Sequence, residues 1–331
     1  MRTPPPSSRQ PRRAAWSHER LEHERAVALG NAIDALAAAS YSSALQSYVT
    51  FCRLHGFPID PTPDTLSFYT VFMCHHIKPN SVNAYLSGIC NQLKPFYPHA
   101  HSNRRHQLVA WTLRGCKKLR TVATTRKWPL RHAELCSLRD QYMSSTDHDD
   151  LLFFVLLLVS FHALMRLSEL VWPDRKALRD YRKVTKRNSV ELLPEGFSFF
   201  LPGHKADRFF EGNRIIVQRN ASDDDPDAPF CKYLAACDRL YPFHPELWLH
   251  ADGSVPARAW FIRRLRLHFP SDVAGHSLRA GGATALAQAG IPPHIIQAIG
   301  RWASDTFQIY IRQHPVLLAA FLFGRAKSST S

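Results

Sequence analysis

The sequence predicts a mainly helical α+β protein: an all-helical N-terminal domain, then a second, helix-rich domain carrying a small antiparallel sheet. Three observations predict it. The chain has 331 residues, more than one ordinary core organises, so two domains are expected. Its apolar residues recur at helical spacing along most of its length. Near residue 189 the period changes, and SVELLP, GFSFFLP and NRIIVQ read as short strands separated by turn residues, giving a sheet over about 189–218.

Residues 1–16 are rich in Pro, Ser and Arg and are expected to form a disordered basic tail. The first domain is placed at 17–122. A helical region opens it, from about Ser17 to Leu36. The next helix is expected to start at an N-cap, Ser40, and to stop at Gly56, with Leu45, Tyr48, Val49 and Cys52 on its apolar stripe. Further helices are read in DTLSFYTVFMCHH, in PNSVNAYLSGICNQL from Asn80 or Ser81, and in RRHQLVAWTLRGCKKLR.

TVATTRKWPL is polar and basic and ends in Pro129, so a linker is placed at 123–130, with the second domain at 131–331. That domain begins with the helix RHAELCSLRDQYM and continues with an apolar helix from about Asp150 to Leu170. After the sheet comes an acidic turn, SDDDPDAP. Helices then follow at about 228–240, 255–268, 277–290, 292–301 and 304–312.

The longest apolar run, LLFFVLLLV, has nine residues, against the roughly 20 a membrane span needs. The basic start of the chain has no apolar stretch, so no secretory signal is expected and a soluble intracellular protein is. Seven cysteines, an odd number without a CxxC pair, argue against a disulfide framework or a zinc ribbon; most fall on apolar helical positions. CHH at 74–76 lacks partner ligands at suitable spacing, and no metal site or cofactor is expected.

Net charge is +15, which points to an acidic partner, with nucleic acid first. The distribution strengthens this. Between Thr65 and Ala133 there is no Asp or Glu but eleven Lys or Arg, where an ordinary solvated surface mixes both signs. Candidate DNA contacts are Asn80, Ser81 and Asn83 at a helix start, with Arg104, Arg105, Lys117 and Lys118 on the backbone.

HSLRAGG places His276 and Arg279 on one face of a helix's first turns, suited to an anion, and two glycines after them where another element approaches closely. Tyr310 follows 34 residues after His276. Upstream, ALMRLSEL sets Arg166 and Glu169 near the end of an apolar helix, where a charge needs a partner or a purpose. Lys205 lies in the turn between two strands. Breaking a phosphodiester with a side-chain oxygen needs such a set. Tyr310 is the candidate nucleophile. Arg166, Arg279, His276 and the Trp302 indole are donors around the phosphoryl oxygens, and Lys205 is an acid for the leaving 5′ oxygen. None of these steps requires a metal. Competing readings stand beside these: Tyr310 shares helical spacing with Phe307 and Ile311 as a core aromatic would, Lys183 and Lys186 rival Lys205, and Glu169 either orients Arg166 or is simply exposed.

The ordered set ALMRLSEL, GHKAD, HSLR, GRW and QIY resembles the tyrosine recombinase family, also called phage-type integrases. The tail GHSLRAGGATALAQAGIPPHIIQAIGRWASDTFQIYIR matches the family along its length and looks most like eukaryotic members carried by Crypton-type mobile elements. The resemblance implies a core DNA-binding domain followed by a catalytic domain, and a site-specific recombinase that cleaves and rejoins double-stranded DNA through a 3′-phosphotyrosyl link. It further implies homo-tetramers on two synapsed DNA sites, with a C-terminal segment such as VLLAAFLF at 316–323 passed to a neighbour or packed at home. Trp302 replaces the His more common in the family. A domesticated DNA-binding protein that no longer cuts, and a type IB topoisomerase, are the other classes considered. The expected compartment is the nucleus if the source is eukaryotic, otherwise the cytoplasm with the nucleoid.

Overall fold

The structure, a computed structural model, describes residues 15–30, 35–120, 129–203, 207 and 211–302. The chain divides into two compact units, Met1–Thr124 and Thr125–Ser331. Among the described residues, no helix is long and apolar enough to cross a membrane.

The first unit contains six helices among its described residues: α1 (His18–Gly30), α2 (Ala35–His55), α3 (Pro63–His76), α4 (Pro79–Leu93), α5 (Ala100–Arg105) and α6 (Gln107–Arg120). Pairs α2 with α4 and α3 with α6 build the bundle. Its core is Ala44, Tyr48, Phe51 and Cys52 from α2, Leu66, Tyr69 and Cys74 from α3, and Val82, Leu86, Ile89 and Cys90 from α4. Leu45 and Val49, expected on that stripe, are only partly buried. Ser40 does not cap α2. The helix is already formed at Ala35, because the alanines ahead of Ser40 are strong helix formers. Gly56 does end it, in the left-handed conformation at φ 67°. At the start of α3, Thr62 accepts a hydrogen bond from the Thr65 amide at 3.2 Å, and Pro63 takes the first helical position. All seven cysteines are free, and burial pushes the Cys90 thiol up to about 11.

The second unit is built on α8 (His148–His162), of which every residue from Leu151 to Phe161 is buried. A helix without a polar face needs cover on all sides. The neighbours are α7 (His132–Ser144), α10 (Asp227–Leu240) and α12 (Gly275–Gln288). The three strands β1 (Glu191–Leu193), β2 (Gly196–Leu201) and β3 (Asn213–Gln218) form an antiparallel sheet in that order. Phe197, Phe199 and Leu201 on β2, with Ile215 and Val217 on β3, share the buried face. Two more helices, α11 (Arg258–His268) and α13 (Pro293–Gly300), belong to this unit.

One expectation about this unit is corrected. The apolar helix does not continue to Leu170. It stops at His162, Leu164 turns left-handed at φ 49°, and a separate short helix, α9 (Leu167–Leu170), begins after Arg166. The Met165 amide returns to the Ser160 carbonyl at 3.0 Å and closes the turn.

Candidate active site

The break between α8 and α9 makes Arg166 the cap residue of a new helix rather than a passenger on an old one. Its amide donates to Glu169 Oε2 at 2.9 Å, and its Nη1 donates to Glu169 Oε1 at 2.8 Å. Glu169 is buried and also accepts from Arg301 Nη2 at 3.2 Å. One carboxylate therefore holds two guanidiniums, a charge-assisted arrangement that fixes both forks.

Arg301 closes α13 in the left-handed conformation, φ 53° and ψ 46°. Its side chain reaches the Ile299 carbonyl at 2.9 Å and the Leu164 carbonyl at 3.3 Å. Leu164 and Arg301 are the two non-glycine residues with positive φ among those described, and one guanidinium ties them together. Such backbone strain persists only where the surroundings over-determine it, and it concentrates at functional sites. Burial pushes the Arg301 pKa below its usual value, opposed by the Glu169 carboxylate and helped by Arg166 nearby.

On the other side of the tripeptide Gly300, Arg301 and Trp302 lies Arg279. It projects from the second turn of α12 and is almost completely buried. Its Nη2 donates to the Gly300 carbonyl, and its guanidinium stacks on Trp302, 4.2 Å from the ring centroid. Gly300 leaves room for that ring: a Cβ built there would lie 1.6 Å from it. His276 sits exposed on the first turn of α12, one turn before Arg279. Gly300, Arg301 and Trp302 thus form a hub that links the Arg166–Glu169 pair to Arg279.

The close approach expected at the double glycine is present. A Cβ on Gly281 would fall 2.0 Å from the Leu130 carbonyl oxygen, and one on Gly282 would fall 2.0 Å from the Phe161 carbonyl oxygen. Leu130 also donates its amide to the Ser277 carbonyl at 3.1 Å. Two backbones seat α12 at a depth that side chains there would forbid.

Of the residues singled out from sequence, Arg166, Glu169, Arg279 and Trp302 are brought together, with His276 on the same helix as Arg279. Lys205 and Tyr310, and the segment 316–323, lie outside the described residues. Sequence reasoning missed Arg301. The signal was a charged residue wedged between Gly300 and Trp302 directly after the amphipathic run PHIIQAIG.

The candidate DNA contacts all fall on α4, α5 and α6, which pack against one another in the first unit. Asn80, Ser81 and Asn83 are exposed on the first turns of α4. Arg104 Nη2 donates to Asn83 Oδ1 at 3.3 Å, so two of these candidates are in contact. Arg105 and Lys118 are exposed, and Lys117 is partly so. CHH is not a ligand set: Cys74 is core, His75 pairs with Arg120 Nη2 at 2.5 Å, and His76 packs on Phe72.

No family model and no curated protein matches the chain. Solved structures do: the chain has the fold of the tyrosine recombinases and integrases. It is similar to XerH site-specific recombinase bound to palindromic difH substrate, with TM-score 0.55 and 14% identity over 86% of this chain and 78% of that one. It is also similar to the Tn1549 transposon integrase in complex with transposon right end DNA, with TM-score 0.53 and 16% identity over 86% of this chain and 99% of that one. A lambda integrase dimer bound to a COC′ core site gives TM-score 0.53 and 14% identity, covering 88% and 76%.

Proposed function

We propose that this protein is a site-specific DNA recombinase that breaks and rejoins strands through a 3′-phosphotyrosyl intermediate, serving integration or excision of a mobile element. The observation that carries the reading is the joining of Arg166 and Arg279 through Glu169, Arg301 and the Gly300 carbonyl, in a chain with the tyrosine-recombinase fold.

In this reading the Tyr310 oxygen attacks the scissile phosphorus. The P–O5′ bond breaks, the phenolic proton passes to water, and Lys205 gives a proton to the leaving 5′ oxygen. Arg166 and Arg279 bind the non-bridging oxygens, and His276 and Trp302 support them. These donors are held before the charge develops, which is where electrostatic stabilisation is largest. One phosphodiester becomes another, so a 5′-hydroxyl can reverse the step without ATP. The basic face of α4, α5 and α6 grips the duplex, and two synapsed sites are served by a tetramer. In a eukaryote this work belongs in the nucleus.

The test begins by selecting bound DNA from a random pool. A nicked substrate built on the selected site then traps the covalent complex. Tyr310→Phe is expected to abolish the adduct and leave binding intact. An undiminished adduct rejects Tyr310 as nucleophile. Absence of any adduct in the parent chain, on a site it binds, favours a DNA-binding protein that has lost catalysis.

A further inference from the structure

A second cluster of chemically capable side chains lies away from the arginines. His132 on the first turn of α7, His162 at the end of α8 and Asp224 in the loop before α10 bring three potential ligand atoms within 4.8 Å of one another. His162 Nε2 is 3.2 Å from Asp224 Oδ2, and His132 Nδ1 contacts the same oxygen. These residues are 30 and 62 apart in sequence, so the fold assembles them.

The loop is shaped to present Asp224. Its side chain has no exposure, its Oδ1 accepts from Ser222, and the Asn220 amide donates to Asp225 Oδ1 at 3.0 Å. A buried carboxylate needs a partner charge, a metal ion or hydrogen-bond donors, and here His132, His162 and Ser222 surround it. Hydrogen bonding alone serves this cluster by compromise, since His162 Nε2 is shared between Asp224 Oδ2 and the Asp224 carbonyl at 2.9 Å. His132 is 48% exposed, which opens the cluster to solvent.

We propose that His132, His162 and Asp224 bind a Zn2+ ion, with water in the fourth position. Two imidazoles and a carboxylate, with a water, are a ligand set that Zn2+ accepts in a tetrahedron. Bond lengths of about 2.0–2.2 Å set ligand atoms about 3.3 Å apart, and the His162–Asp224 spacing of 3.2 Å already fits. The half-exposed His132 ring opens its contact by side-chain rotation. The ion ties together the start of α7, the end of α8 and the loop before α10. Leu130 and Phe161, whose carbonyls seat Gly281 and Gly282, are close neighbours of two ligands in the chain. The ion thereby buttresses the platform under Arg279 and takes no part in strand cleavage.

The experiment needs no DNA, so its failure leaves the recombinase reading untouched. The full chain is stripped with EDTA, incubated with ZnCl2 and passed through a desalting column. One Zn2+ per chain is expected to remain, with a rise in Tm of about 5–10 °C. His132→Ala, at a half-exposed position, is expected to fold and lose both, and His132→Cys to recover them. His75→Ala controls for the CHH segment and should change neither. Zn2+ retention and Tm shifts equal in the parent and His132→Ala chains overturn the proposal and leave a purely hydrogen-bonded cluster.

Discussion

At Glu169 two positive charges depend on one negative charge. The carboxylate binds Arg166 at 2.8 Å and Arg301 at 3.2 Å in a place where water has little access. Removing one partner of a buried ion pair leaves the other charge uncompensated, which typically costs about 3–5 kcal/mol. Glu169→Gln keeps the shape but not the charge. It is expected to lower stability by a few kcal/mol (about 2–4) in urea titration and to reduce strand cleavage with little change in DNA affinity. Arg301→Lys isolates the fork from the charge. An ammonium cannot serve the Ile299 carbonyl, the Leu164 carbonyl and Glu169 together. Cleavage should fall by about 10²–10³, as when a transition-state donor is lost or misplaced. Unchanged single-turnover cleavage in Arg301→Lys would show that the hub does not position Arg166.

Among the elements, α12 matters most, because its seat is made of backbone rather than side chains. Gly281→Ala forces a methyl to within 2.0 Å of the Leu130 carbonyl oxygen. Neither backbone is free to yield, so the helix must move out and carry Arg279 with it. A loss of about 1–3 kcal/mol is expected, with a loss of cleavage beyond what the stability change explains. A second helix contact makes stability depend on pH. His268 on α11 pairs with the Tyr142 hydroxyl of α7 at 2.5 Å, and burial, with Arg264 nearby, holds its pKa below the usual value. The unfolded chain takes up that proton near about pH 6.5, the folded chain only at lower pH. Between the two values the unfolded state binds more protons, so stability rises with pH through this window. The contribution is complete above the unfolded value and is lost as pH falls. His268→Gln, which keeps an acceptor for Tyr142, is expected to lose less Tm than the parent chain between about pH 7.5 and pH 5.5.

For the whole molecule the governing quantity is charge, +15 over 331 residues. Binding to duplex DNA should be dominated by counterion release, with log K falling linearly in log salt. Each phosphate contact contributes about 0.9 to that slope. Replacing Lys117 and Lys118 on α6 by Gln should reduce the slope by about 2 and weaken all sequences alike, because phosphate contacts carry no base information. A selective loss on one sequence would instead place these side chains in a groove.

Much of this was legible along the chain because it rests on local periodicity and on composition. Most of the described helices, the change to period two near residue 189, the basic stretch without acids and the arginine-bearing motifs are properties of neighbouring residues. The close approach at Gly281 and Gly282 could be expected for the same reason, since a residue without Cβ in a helix announces a neighbour. What folding alone decided involves residues far apart in sequence. Arg301 gains its role only where α13 meets the left-handed turn at Leu164, and Glu169 is shared only there. His132, His162 and Asp224 meet only after α7 and α8 pack and the loop closes over them. Periodicity reports which face of an element is buried; it carries no record of what waits on the other side.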